Sequence, residues 1–237
     1  MEVAVFDIGL TDFLKAWKFQ KEIFDKVRKN AFPGALIICR HYPVITLGRG
    51  AHSDSIVASS RELKERDISV YEIERGGDAT YHGPGQVTLY PILDLQYFKK
   101  DIHWFLRQLE QAVIDLLSDY GISGLRQPGR TGVWVHPVRN PWPHKETNVS
   151  NGAKEKLASI GIAIRHWITY HGLSVNVKKE DLSNFMLIRP CGMDIAMTSL
   201  EKVLGREVDI EDVAENLARH CLKGGILYDE SSLAGVG

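Results

Sequence analysis

LASIGIAIRHWITYHGLSVNV, residues 157–177, holds two strand-like runs in direct succession, Leu157 to Ile164 and Trp167 to Val177, with only Arg165 and His166 between them. Isoleucine recurs through the first run, and β-branched and aromatic residues make up most of the second, the composition that suits a pleated, half-buried surface. Outward from this stretch the same pattern marks Glu2 to Ile8, Ala35 to Arg40, Val44 to Leu47, Ser69 to Glu74, Gln86 to Leu93 and Gly132 to Val135 as strands. Strands therefore outnumber helices and cluster consecutively. This order favours an α+β arrangement, mixed sheets packed on helices, over a doubly wound parallel sheet.

The helical segments are fewer and clearer. Thr11 to Asn30 repeats Phe13, Leu14, Trp17, Phe24 and Val27 at helical spacing, with Thr11 as the expected cap. Asp101 to Tyr120 carries one apolar stripe of Ile102, Phe105, Leu109, Val113, Leu116 and Tyr120, and Gly121 stands where a left-handed terminator is wanted. Thr198 followed by Glu201 predicts a capping box for a short helix ending at Gly205, and Asp209 caps another to about Lys223. One segment breaks the pattern: HPVRNPWPHKETNVSNGAK, residues 136–154, has no usable periodicity and is expected to be an exposed excursion between two strands. Strand-like sequence continues on both sides of it, so residues 1–237 are expected to form one domain with an insertion at about 136–155.

Composition narrows the function classes. The 237 residues carry a formal net charge of −1, which lacks the basic excess expected for nucleic-acid binding or an anionic membrane surface. Apolar runs such as Ala35 to Cys39 fall far short of the roughly 18 residues of a membrane span. Met1 to Leu10 has Glu2 and Asp7 where a signal peptide would be basic or apolar, so a cytoplasmic protein is the expectation, with an imported mitochondrial protein as the alternative. Three cysteines without a close pair argue against both a disulfide framework and structural zinc.

Two of those cysteines suit a buried role, Cys39 at the end of ALIIC and Cys221 on the apolar face of the last helix. Cys191 differs, because in IRPCGMD it sits between Pro190 and Gly192 with no strand or helix period running through it. It is either a constrained, reactive thiol or another small buried hydrophobe. The segment RGGDATYHGPGQ, residues 75–86, packs four glycines and a proline between two strands. Such a loop either brings backbone N–H groups close to a ligand or is a bare glycine-rich hairpin, and it matches neither the Walker nor the dinucleotide fingerprint. Lys156 opens a strand, where lysine is ordinarily a solvated charge; beside a thiol its ammonium would favour the thiolate. His82, inside the glycine-rich loop, can serve as hydrogen-bond donor, acid or base, or simply hold the loop.

Six segments carry a family resemblance: HYPVITLG at 41–48, RGGDATYHGPGQ at 75–86, TGVWV at 131–135, KLASIG at 156–161, ITYHGLSVNV at 168–177 and PCGM at 190–193. In this order they resemble the lipoyl(octanoyl) transferase family. The resemblance implies a fold like the catalytic domain of biotin and lipoate protein ligases, and a ping-pong acyl transfer. It makes Cys191 the nucleophile and Lys156 the lysine that stabilises its thiolate. Its substrate-binding segments fall on Arg75, Gly76, Gly77, Asp78, Ala79, Thr80, Tyr81 and His82, on Ser159, Ile160 and Gly161, and on Gly172, Leu173 and Ser174. The implied donor is octanoyl acyl carrier protein, which brings the acyl group on its phosphopantetheine, so that the enzyme needs no cofactor of its own. The implied acceptors are lipoyl domains of 2-oxoacid dehydrogenase E2 subunits and the glycine cleavage H protein.

One departure from the family pattern is the long insertion between GVWV and the KLASIG strand, which makes Lys154 a rival for Lys156. Two other readings remain open: an ATP-dependent lipoate or biotin ligase, which needs no cysteine nucleophile, and a noncatalytic module that binds carrier or lipoyl domains.

Overall fold

The computed structural model of the protein describes residues 3–137, 154–189 and 195–223. Its strands are β1 (Ala4–Thr11), β2 (Gly34–His41), β3 (Val44–Leu47), β4 (Ser69–Glu72), β5 (Ala79–His82), β6 (Gln86–Leu93), β7 (Leu125–Gln127), β8 (Arg130–Val135), β9 (Glu155–Arg165) and β10 (Ile168–Asn176). Its helices are α1 (Phe13–Arg28), α2 (Ser60–Glu65), α3 (Ile102–Asp119), α4 (Leu200–Leu204) and α5 (Ile210–Lys223). Seven strands form a large sheet in the order β1-β2-β6-β10-β9-β8-β7, and three form a small one in the order β4-β3-β5. β1 runs parallel to β2 and β4 parallel to β3, while the other pairs are antiparallel. The α+β expectation is met by this mixed pairing.

The alternation of side chains explains how the large sheet is covered on two faces. Leu36 and Ile38 of β2, with Val87 and Leu89 of β6, pack on Phe105, Leu109 and Val113 of α3 and on Val213 and Leu217 of α5. The intervening residues Ala35, Ile37, Cys39, Tyr90 and Ile92 turn the other way, onto Ala16, Ile23 and Val27 of α1. The unbroken apolar run ALIIC follows from this, since β2 is buried on both faces. Cys39 and Cys221 both take the buried positions expected of them.

Several local expectations need correction. β1 continues through Thr11, so the cap of α1 passes to Asp12, whose Oδ1 accepts from the N–H groups of Leu14 at 2.9 Å and Lys15 at 3.2 Å. The buried stripe of α1 is Phe13, Ala16, Gln20, Ile23 and Val27, which leaves Leu14 exposed. At α4 the cap is Ser199, one residue later than Thr198, because Glu201 instead receives Lys178 Nζ at 2.9 Å. The glycine-rich segment is not all loop, since Ala79–His82 forms β5. β7 and α2 were not expected at all. The expected excursion joins two antiparallel neighbours, with Val135 facing Glu155, but its residues 138–153 lie outside the described ones.

Candidate active site

A cavity of about 510 Å³ lies where the small sheet and the Arg75–Asp78 loop meet β6, β10, β9 and β8. Its wall includes Arg75, Gly76, Gly77, Asp78, Ala79, Thr80 and His82, with Ser159, Ile160, Gly161, Gly172, Leu173, Ser174 and Lys156. The three substrate-binding segments named from the resemblance, with Lys156, thus line one concave surface. Tyr81 is the exception. Its ring packs edge-on against Phe185 with centroids 5.6 Å apart, and its hydroxyl receives Asn184 Nδ2 at 2.9 Å. Cys191 lies outside the described residues, although Ile188 and Ile195, which bracket it in sequence, both line the cavity.

The register gives the cavity a direction. Ser159 pairs with Ser174 and Ile162 with His171, and Lys156 precedes Ile162 by six residues on the same strand, or roughly 20 Å of β9. At the Lys156 end, the Lys156 N–H donates to Ala196 O at 2.8 Å, and Thr198 N–H donates to Lys156 O at 3.0 Å. The chain emerging from residue 195 is therefore laid along the start of β9. Lys156 Nζ sits 5.1 Å from the centroid of the Trp134 ring, a cation–π contact. Lys154 precedes β9 and is not in the cavity wall, whereas Lys156 is.

The loop is held by buried polar contacts. Arg75 donates from Nη2 to Thr46 O at 2.6 Å and Thr46 Oγ1 at 3.0 Å, and burial brings its guanidinium down to about 10, still charged at neutral pH. Asp181 Oδ2 accepts from Gly85 N–H at 2.6 Å, which ties the HGPG half of the segment to the 3₁₀ turn of Glu180–Leu187. Burial raises the Asp181 carboxyl above its ordinary range. Nothing in the local sequence marks Asp181, since the contact spans nearly a hundred residues.

The opposite end carries Arg75 beside Asp78 and is walled by Phe13, Ile73, Tyr90 and His171. His171 adopts a positive φ of 56° in the middle of β10, and its N–H donates to Gln20 Oε1 at 2.9 Å. Its Nε2 stands 3.8 Å from Glu74 Oε2, an electrostatic contact too long for a hydrogen bond. Burial depresses all three neighbouring imidazoles: His171 below its ordinary range, His82 well below it, and His41 to about 4. His41 Nε2 contacts the Tyr90 hydroxyl at 2.7 Å. His82 Nδ1, Thr88 Oγ1 and His171 Nε2 have no hydrogen-bond partner among the described residues. Of these three histidines, sequence reasoning assigned a site role only to His82. It missed Phe13, Ile73, Thr88 and Tyr90, which look like ordinary core residues in their own segments.

This architecture has known counterparts. A family model described as lipoyl protein ligase A/B catalytic domain matches residues 12–222. An octanoyltransferase from Christiangramia forsetii is 40% identical over 232 residues, covering 92% of this chain and 94% of that protein. One from Caldanaerobacter subterraneus is 41% identical over 215 residues, covering 90% of this chain and 86% of that protein. Among solved structures, a bi-partite lipoate protein ligase from Thermoplasma acidophilum shares the fold, with a TM-score of 0.68 at 17% identity over 97% of this chain and 85% of that one. A match from the first helix to the last, with relatives this similar along nearly their whole length, means that the chain belongs to the lipoyl protein ligase A/B catalytic domain family.

Proposed function

We propose that the protein is an octanoyltransferase of lipoate biosynthesis, a one-unit enzyme that moves an octanoyl or lipoyl group from acyl carrier protein to the lysine of a lipoyl domain through a thioester on Cys191. The observation that carries this reading is the position of Lys156 in the wall of the same cavity as the Arg75–His82 segment, Ser159–Gly161 and Gly172–Ser174. The identity to curated octanoyltransferases over about nine-tenths of the chain supports it.

The chemistry follows from the groups available. A Cys191 thiolate, favoured by the Lys156 ammonium, attacks the carbonyl carbon of the phosphopantetheine thioester. The new carbon–sulfur bond forms, the tetrahedral oxyanion collapses, and the carrier leaves as its thiolate, which takes up a proton. The acceptor lysine amine then attacks the enzyme thioester, an amide forms, the Cys191 thiolate departs, and the amine gives up a proton. A thioester is already activated, so no ATP and no cofactor is consumed. An extended octanoyl chain spans about 9 Å from its C–C bond lengths. A cavity that runs roughly 20 Å along β9 holds it and leaves room for the incoming pantetheine arm or lysine. Each methylene buried against Ile160, Leu173 and Ile73 contributes about 0.8 kcal/mol.

The acceptors are lipoyl domains of 2-oxoacid dehydrogenase E2 subunits and the glycine cleavage H protein, and the compartment is the reducing cytoplasm. The test is transfer to a purified lipoyl domain, followed by mass. Octanoyl acyl carrier protein alone is expected to add one octanoyl group to the domain. Modification that requires octanoic acid and ATP, with none from the carrier thioester, would assign the chain to the ligases instead.

A further inference from the structure

Glu110 is a charged residue that the mechanism above leaves without a task. It sits on α3 with its side chain 1% exposed. Its Oε2 receives Arg126 Nε at 3.1 Å and Arg107 Nη1, and its Oε1 accepts the Gly132 N–H at 3.2 Å. A buried carboxylate is a poor way to hold a helix on a sheet, since an apolar side chain of similar size usually does as well or better. The contact it makes on β8 therefore needs its own explanation.

Gly132 supplies one. Its φ is +134°, a region that suits glycine, and a Cβ there would lie 2.6 Å from Ala158 O, 2.7 Å from Lys156 Cε and 3.3 Å from Lys156 Nζ. The Lys156 side chain runs directly over the bare Cα of Gly132. The ladder between β8 and β9 is also irregular here, because Val133 faces Ala158 and the next residue, Trp134, faces Lys156. One extra residue on β9 is thus accommodated beside Lys156, a bulge of the kind that re-aims a side chain. The Glu110 carboxylate grips β8 at the residue that opens the space.

We propose that Glu110, acting through the backbone of Gly132, is a positioning residue that holds β8 clear of the Lys156 side chain and so fixes where its ammonium is delivered. The inference rests on the role given to Lys156 above. It touches no substrate atom; it sets the geometry of the group that stabilises the thiolate.

The experiment measures the pH dependence of Cys191 alkylation by iodoacetamide in the full-length protein, located by peptide mapping, with the thermal midpoint recorded in parallel. Lys156→Ala is expected to raise the apparent thiol pKa by roughly one unit or more. Gly132→Ala is expected to reproduce more than half of that shift, and Glu110→Ala a measurable part. Glu110→Gln keeps an acceptor for the Gly132 N–H and is expected to shift the profile less than Glu110→Ala. If Gly132→Ala does not fold, the two Glu110 variants decide the matter. Glu110 variants that lower only the thermal midpoint, while Lys156→Ala moves the alkylation profile, would overturn the inference and leave the role of Lys156 intact. A Lys156→Ala profile identical to that of the parent would instead remove the role of Lys156, and the inference with it.

Discussion

At one end of the cavity Lys156 brings an ammonium to the Trp134 ring beside the chain that emerges from residue 195; at the other, His41, His82 and His171 are kept neutral among Phe13, Ile73 and Tyr90. The same sheet builds both, and the difference lies in burial. In the proposed mechanism the first end supplies a charge where a thiolate and an oxyanion would form. The second, in the same mechanism, offers neutral imidazoles and aromatic and aliphatic walls that an apolar chain would touch. Under the proposed function, a division of this kind would let one pocket bind a hydrocarbon and run ionic chemistry a short distance away.

The contrast can be broken most severely at the charged end. Lys156→Ala is expected to lower kcat/KM by about 10²–10⁴-fold, with octanoyl binding retained, as measured by steady-state transfer and by ligand titration. The histidine end is expected to show itself in the pH dependence of stability. The His41 pKa falls from 6.5 to about 4 on folding, so the unfolded chain binds this proton more tightly. Stability present above about pH 6.5 is therefore lost as the pH falls toward 4, by up to about 3 kcal/mol from His41, and His82 and His171 act in the same direction. Thermal midpoints taken across that window check it, and His41→Gln should flatten the slope. Smallest is the effect of Thr88→Val, which removes a buried hydroxyl that has no partner among the described residues. It is expected to tighten octanoyl binding several-fold, worth about 1 kcal/mol, with no loss of thermal midpoint.

The same two ends differ in how far the sequence reveals them. Arg75–His82, Lys156, Ser159–Gly161 and Gly172–Ser174 are contiguous motifs with unusual composition, and all but Tyr81 line the cavity. Phe13, Thr88 and Tyr90 belong to segments whose patterns are those of an ordinary helix and an ordinary buried strand. Only the packing of α1 and β6 against β10 turns them into a wall. Asp181 and Glu110 were illegible for a related reason: each acts through one backbone N–H far away in sequence, on Gly85 and Gly132. The local errors have equally local causes. Thr11 and Thr198 have the right chemistry for caps, but β1 runs one residue too far and Glu201 is drawn to Lys178, so Asp12 and Ser199 take the positions. Runs such as 157–177 were legible because strand-like sequence lies on both sides of a short turn, and the two runs pair with Ile168 facing Arg165.

The central claim is a covalent one, and the most direct measurement is the intact mass of the protein after mixing with octanoyl acyl carrier protein in the absence of ATP. The account predicts an added octanoyl group, labile to hydroxylamine, mapped to Cys191 and discharged by a lipoyl domain. A parent protein that carries no octanoyl group under these conditions, yet acylates the lipoyl domain when given octanoic acid and ATP, would contradict it.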